Sequence, residues 1–176
     1  MLRNRSNLEL SSKQRLKRGY MELIYKNNPR YFLTITFPFN TSKSSSEAIL
    51  NKLIINLNQK IYKKRYTNNI DHISGVAIRE QTQTMYCDHF HIVIFEHKDH
   101  LLPNIESMNK KINKCISFIN RTEGTNYIHT FDLQEYYKTG EYSLERYVTK
   151  QFDGYTYQNT CNDAMGILGR SDVIFN

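Results

Sequence analysis

A chain of 176 residues, 39% hydrophobic and 23% charged, has the size and composition of one globular domain with a real core. No apolar run approaches the roughly 20 residues of a membrane span, and the polar stretch after the basic residues 1–6 lacks the apolar region of a secretory signal, so a protein of the cell interior is expected. The net charge of +7 is concentrated at the start, where residues 1–30 hold eight basic side chains against Glu9 and Glu22. That imbalance favours a polyanionic partner, foremost nucleic acid, with Arg3, Arg5, Arg15, Lys17 and Arg18 as candidate contacts and Lys63-Lys64-Arg65 as a second cluster. Cys87, Cys115 and Cys161 are too few and too irregularly spaced for a disulfide framework or a zinc ribbon, and are read as reduced thiols.

In chain order, Ser11 or Ser12 can cap a first helix running to about Lys26, with Leu16, Tyr20, Leu23 and Ile24 on one face. Residues 31–37 alternate Leu33, Ile35 and Phe37 against Thr34 and Thr36 and stop at Pro38, the pattern of a half-buried strand. Ser44-Ser45-Ser46-Glu47 has the spacing of a capping box, and Leu50, Leu53, Ile54, Leu57 and Ile61 continue it as a helix over about 45–64. Residues 73–81 and 89–95 read as two strands of a hairpin joined through 82–88.

A helix follows over about 103–120, then a strand over 127–133 and a short helix over about 142–152. The last apolar runs, Ile167-Leu168 and Val173-Ile174-Phe175, suit either a terminal strand or a docking segment. Strand, helix, strand, strand, helix, strand is a split β-α-β order, which predicts an α+β fold of ferredoxin-like topology: an antiparallel sheet with helices on one face and an open second face. Residues 1–30 form a basic helical segment ahead of a domain spanning 31–176, with no linker or repeat dividing the chain.

Two motifs carry chemistry. In His89-Phe90-His91 the two imidazoles leave one face of a strand while Phe90, Ile92 and Ile94 leave the other, which makes a candidate two-histidine metal site. The bland alternative is a pair of structural histidines satisfied by carbonyls or hydroxyls. Further on, Tyr147 and Lys150 share one helix face while Leu144, Val148 and Phe152 form the packed stripe, and Tyr147 is the only one of thirteen tyrosines followed by lysine at the third position.

In this order Phe32-Leu33-Thr34-Ile35-Thr36-Phe37, His89-Phe90-His91 and Tyr147-Val148-Thr149-Lys150 resemble the three motifs of rolling-circle replication initiators, members of the HUH endonuclease superfamily, over about residues 31–152. The resemblance implies an endonuclease that nicks and rejoins single-stranded DNA of a plasmid or small phage or virus. Tyr147 would be the nucleophile and His89 and His91 metal ligands on the open sheet face. Lys150 would lower the pKa of Tyr147 or bind the phosphate, the alternative being a solvated lysine.

A third ligand is implied on the neighbouring strand, and Glu80 is the residue the resemblance selects. Val76 and Ile78 look like core positions, and strict alternation would turn Glu80 to their face, which leaves Gln81 and Gln83 as alternatives. Two imidazoles and one oxygen leave open coordination positions, which suits Mn²⁺ and is tolerated by Mg²⁺. Ser143 stands four residues before Tyr147, so a single-tyrosine enzyme is expected.

The chain has no Gly-x-x-x-x-Gly-Lys-[Ser/Thr] loop, so a separate helicase and the host polymerase are implied partners at a hairpin origin. His97 and His100, beyond the strand end, are read as solvated loop residues. The rivals are a single-tyrosine transposase of the same superfamily and a non-catalytic module that binds single-stranded nucleic acid on an open sheet.

Overall fold

Period-2 and period-3.6 apolar patterns become elements in the computed structural model, which describes residues 12–81, 88–123, 127–136, 165–169 and 173–175. They run α1 (Ser12–Lys26), β1 (Pro29–Thr36), α2 (Lys43–Tyr62), α3 (Lys64–Thr67), β2 (Gly75–Gln81), β3 (Asp88–Phe95), α4 (Ile105–Thr122), β4 (Thr130–Glu135), β5 (Met165–Leu168) and β6 (Val173–Phe175). The strands form one six-stranded sheet in the order β4-β1-β3-β2-β5-β6, and every pairing is antiparallel. Its first four strands have the split β-α-β arrangement, so the chain is an α+β protein of ferredoxin-like topology. The two apolar runs of the tail are both strands, and they extend the sheet beyond β2. The short helix expected over 142–152 lies outside the described residues.

Local chemistry moved some boundaries. Ser42, not Ser44, caps α2: its side chain accepts the Ser45 amide at 3.2 Å, so the Ser44/Glu47 capping box is not the one used. The predicted single helix to 64 stops at Tyr62, because Lys63 adopts φ 51°, and residues Lys64–Thr67 form the separate turn α3. No helix among the described residues is long and apolar enough to cross a membrane. Cys115 is buried and unpaired, while Cys87 and Cys161 lie outside the described residues.

Both faces of the sheet are packed, to different extents. Leu33, Ile35, Phe90, Ile92 and Ile94 meet Leu50, Leu53 and Leu57 of α2 and Met108, Ile112 and Ile116 of α4 in the main core. On the other face Tyr20 and Ile24 of α1 close over Phe32, Val76, Ile78, Val93 and Phe95. The basic first segment, whose relation to the sheet the sequence left open, thus covers part of the face on which the histidines lie. Two residues join α1 to β1, so the helix finishes beside the end of the sheet farthest from His89.

At that far end Asp71, with a side chain only 2% exposed, accepts hydrogen bonds from Arg65 and from Nε2 of His97, the latter at 3.0 Å. Nδ1 of His97 in turn accepts the Asp99 amide at 3.1 Å, so His97 is a structural residue rather than a solvated one. His100 is exposed, as expected. Arg65 also reaches Asp99 at 3.5 Å and ties the α3 turn to the loop after β3 instead of standing free for a polyanion.

The Arg65 hydrogen bond, opposed by burial and helped by His97, holds the Asp71 carboxyl below its ordinary range. A depressed folded pKa contributes stability that is present above the unfolded value, about 3.9, and is lost as the pH falls through the folded one. Asp71→Asn should therefore melt below wild type at pH 7, with the difference shrinking as the pH drops below about 4. Circular-dichroism melts across pH 2.5 to 7 test this, and a pH-independent difference would contradict it.

Candidate active site

The middle of the sheet positions the site. β3 lies between β1 and β2, with Thr36 opposite His89, Thr34 opposite His91, and Glu80 and Ile78 opposite His89 and His91 from the other side. Directly opposed residues of antiparallel strands share a face, so Thr34, Thr36, Glu80, His89 and His91 line one surface. Along β3 this surface changes character. Phe95 and Val93 are buried under α1, His91 is 6% exposed and His89 is half-buried, because the cover supplied by α1 gives way along the strand.

Each imidazole is oriented from β1. Nδ1 of His89 is 3.0 Å from the Thr36 hydroxyl and Nδ1 of His91 is 3.2 Å from the Thr34 hydroxyl. A hydroxyl can donate or accept, so these anchors serve either tautomer. Phe32, one row beyond Thr34, stacks on His91 with ring centroids 5.6 Å apart and planes 11° apart, sealing that flank from water.

Glu80 lies on the histidine face, and the reason corrects the reading of β2. Val76 and Ile78 are core residues, but of the smaller cluster under α1, on the same face as His91; Ala77 belongs to the main core. Normal alternation therefore brings Glu80 to the histidines without a bulge. Its Oε2 accepts a hydrogen bond from Nε2 of His91 at 2.8 Å. Gln81 pairs with Asp88 at the strand end, one residue off the Glu80 parity, and Gln83 lies outside the described residues.

Among the described residues no three His, Cys, Asp or Glu side chains converge into a metal-holding group; Glu80 bonds His91 directly instead. The donor set nevertheless suits a divalent cation: two imidazoles with tethered Nδ1 atoms beside a carboxylate, the kind of support under which metal-ligating histidines are held. His89, His91 and Glu80 would hold such an ion. Thr34, Thr36 and Phe32 complete the site; the sequence marked them only as part of the first motif and gave them no role beside the histidines. The sign of them is there, since Thr-x-Thr in a strand has the same parity as His-x-His.

Tyr147, Lys150, Arg3 and Arg5 lie outside the described residues. Arg15 and Arg18 are exposed on α1, Arg18 pairing with Glu22 at 2.9 Å, while Lys17 is half-buried. Lys63 and Lys64 are exposed at the end of α2 that returns to the sheet edge opposite the histidines, so they do not join the site. The chain matches no protein-family model, no curated protein and no solved structure. Its function is therefore read from the site itself.

Proposed function

We propose that the chain is a single-tyrosine endonuclease of the HUH type that nicks and transfers single-stranded DNA to start rolling-circle replication. One observation supports the reading above the others: His89 and His91 project from one face of the central strand, each ring tethered through Nδ1 by a threonine of β1. A single structural histidine needs no such matched pair, whereas here two rings on one face of the central strand are each held through Nδ1 by the strand alongside.

In the proposed reaction the Tyr147 oxygen attacks the scissile phosphorus, forming a P–O bond as the bond to the 3′-oxygen breaks. The phenolic proton passes to water, its loss eased by the charge of Lys150, and the departing 3′-oxygen takes up a proton from water to leave as a hydroxyl. The products are a 5′-phosphotyrosine and a free 3′ end, and attack by a later 3′-hydroxyl reverses the step. Bound Mn²⁺ or Mg²⁺ would supply Lewis-acid polarisation of the phosphate and offset its developing charge. Thr34 and Thr36 hold the rings in place, Phe32 keeps water from the His91 flank, and the exposed Arg15 of α1 attracts the strand. The origin hairpin, a separate helicase and the host polymerase complete the proposal.

The test incubates the protein with a labelled hairpin oligonucleotide and Mn²⁺. A covalent adduct that resists denaturation is expected with wild type and absent with Tyr147→Phe, a loss of at least about a thousandfold, as for removal of a covalent nucleophile. A second reading, the non-catalytic module, draws on the direct Glu80 to His91 hydrogen bond, which a purely structural pair would also make. Binding without any adduct on single-stranded or hairpin DNA would select it.

A further inference from the structure

The largest stretch of charge that the histidine face does not use lies on α4. Lys110, Lys114, Phe118 and Arg121 recur at intervals of four, four and three, so they form a single stripe on the exposed side of the helix, with Ser117 beside it. Met108, Ile112 and Ile116 turn the other way into the main core, which places the stripe on the side of the sheet opposite His89 and His91. Lys60 of α2 joins these residues around an open groove of about 570 Å³. Phe118 is 45% exposed, and the Arg121 guanidinium lies 6.0 Å from its ring centroid.

Two features separate this surface from an ordinary solvated helix face. On α1 and α2 several cations have acidic partners one turn away: Arg18 and Lys26 with Glu22, Lys43 with Glu47. On α4, Glu106 stands one turn before Lys110, but no acid follows it until Glu123, which is taken by Lys52, so Lys114 and Arg121 have none on their own helix. Lys110 and Lys114 are like charges one turn apart, an arrangement that weakens a helix rather than supporting it. The second feature is an exposed aromatic ring in the middle of the charge.

The groove also continues. A neighbouring hollow of about 410 Å³ shares Asn113 and Ser117 with it and passes over Thr130 and Phe131 of the edge strand β4. Thr130 pairs with Thr36, which pairs with His89, so the path leads round the sheet edge to the end of the sheet where the histidines lie.

We propose that this groove is a second binding track, for single-stranded nucleic acid. Cations along a groove follow a phosphate backbone, and a ring among them gives a base a face to stack on. From Lys110 to Arg121 the helix rises about 16 Å, room for about five phosphates at stacked spacing. A stiff duplex would touch the cations but not enter the groove to reach the ring. A protein partner would want more apolar surface than one phenylalanine. The track does not depend on the histidine face being a nuclease.

Fluorescence anisotropy of the full chain with a labelled oligothymidine of about twenty nucleotides, in EDTA and over a range of salt, tests the proposal. Lys114→Ala/Arg121→Ala should weaken binding and lower the log-log salt slope by about 1.4, two phosphate contacts on a single strand. Phe118→Ala should weaken binding about tenfold with the slope unchanged. Unchanged affinity and slope in all variants would overturn the track, leaving a solvated face or a contact for an acidic protein. A loss seen equally on duplex DNA, with Phe118→Ala silent, would overturn it in favour of duplex-backbone binding.

Discussion

His89→Ala is expected to lower Mn²⁺-dependent cleavage by about a hundred- to a thousandfold, the scale for removing a group that stabilises charge at the reacting phosphate. Thermal stability should hardly change. The ring is half-buried, and its loss takes a partner from the Thr36 hydroxyl at a half-buried position near water. His91→Ala should lose as much activity and, in addition, about 2 to 3 kcal/mol of stability. It removes a buried ring stacked on Phe32 and takes partners from both Thr34 and Glu80. Oligonucleotide cleavage at several Mn²⁺ concentrations, beside melts of the same preparations, separates the effects. A His89→Ala protein that cleaves normally would sink the metal role, and one that unfolds would show that the exposed ring is structural.

The difference between the two histidines could not be read from their motif, which is symmetric. His-x-His in an apolar strand gives their shared face, because alternation is a local property of the backbone. What makes His91 buried and His89 half-exposed is α1, and an amphipathic stripe such as Tyr20 and Ile24 announces that a helix packs without naming the surface it packs on.

The same cause misled the reading of β2. Val76, Ala77 and Ile78 are all buried, on alternate faces, so the strand has no hydrophobic alternation from which to tell the histidine side from the main core. The fold class was legible because it follows from the order of elements, each announced by its own period. Thr34 and Thr36 as anchors were not, since their contact with the histidines depends on the register between β1 and β3, strands that lie more than fifty residues apart in sequence. The cap of α2 fell within a serine-rich run, Ser42 and Ser44-Ser45-Ser46, where composition cannot choose the residue whose backbone turns.

Gly75→Ala should be among the most damaging single-methyl additions to the fold, for a reason confined to the backbone. Gly75 opens β2 opposite Ile94, and an added Cβ would stand 2.1 Å from the Val93 carbonyl oxygen and 3.3 Å from the Ile94 Cα. No rotamer can relieve a contact with main-chain atoms, so the start of β2 must move away from β3. Val76, Ala77 and Ile78, all buried, follow that register immediately. The expected cost is about 3 kcal/mol, the upper end for an overpacked interior, or a fall of about 10 °C in the thermal midpoint for a chain of this length.

Because Glu80 faces the histidines through the same register, cleavage should fall along with stability at temperatures where the variant is still folded. Gly19→Ala supplies the opposite sign: nothing lies within 4 Å of its added Cβ on the exposed side of α1, and alanine there should stabilise the helix by up to about 1 kcal/mol. Melts of the two variants decide between a close strand approach and a glycine retained only for flexibility. If Gly75→Ala melts with wild type, the β2–β3 spacing that brings Glu80 to His91 is not fixed at this end of the hairpin.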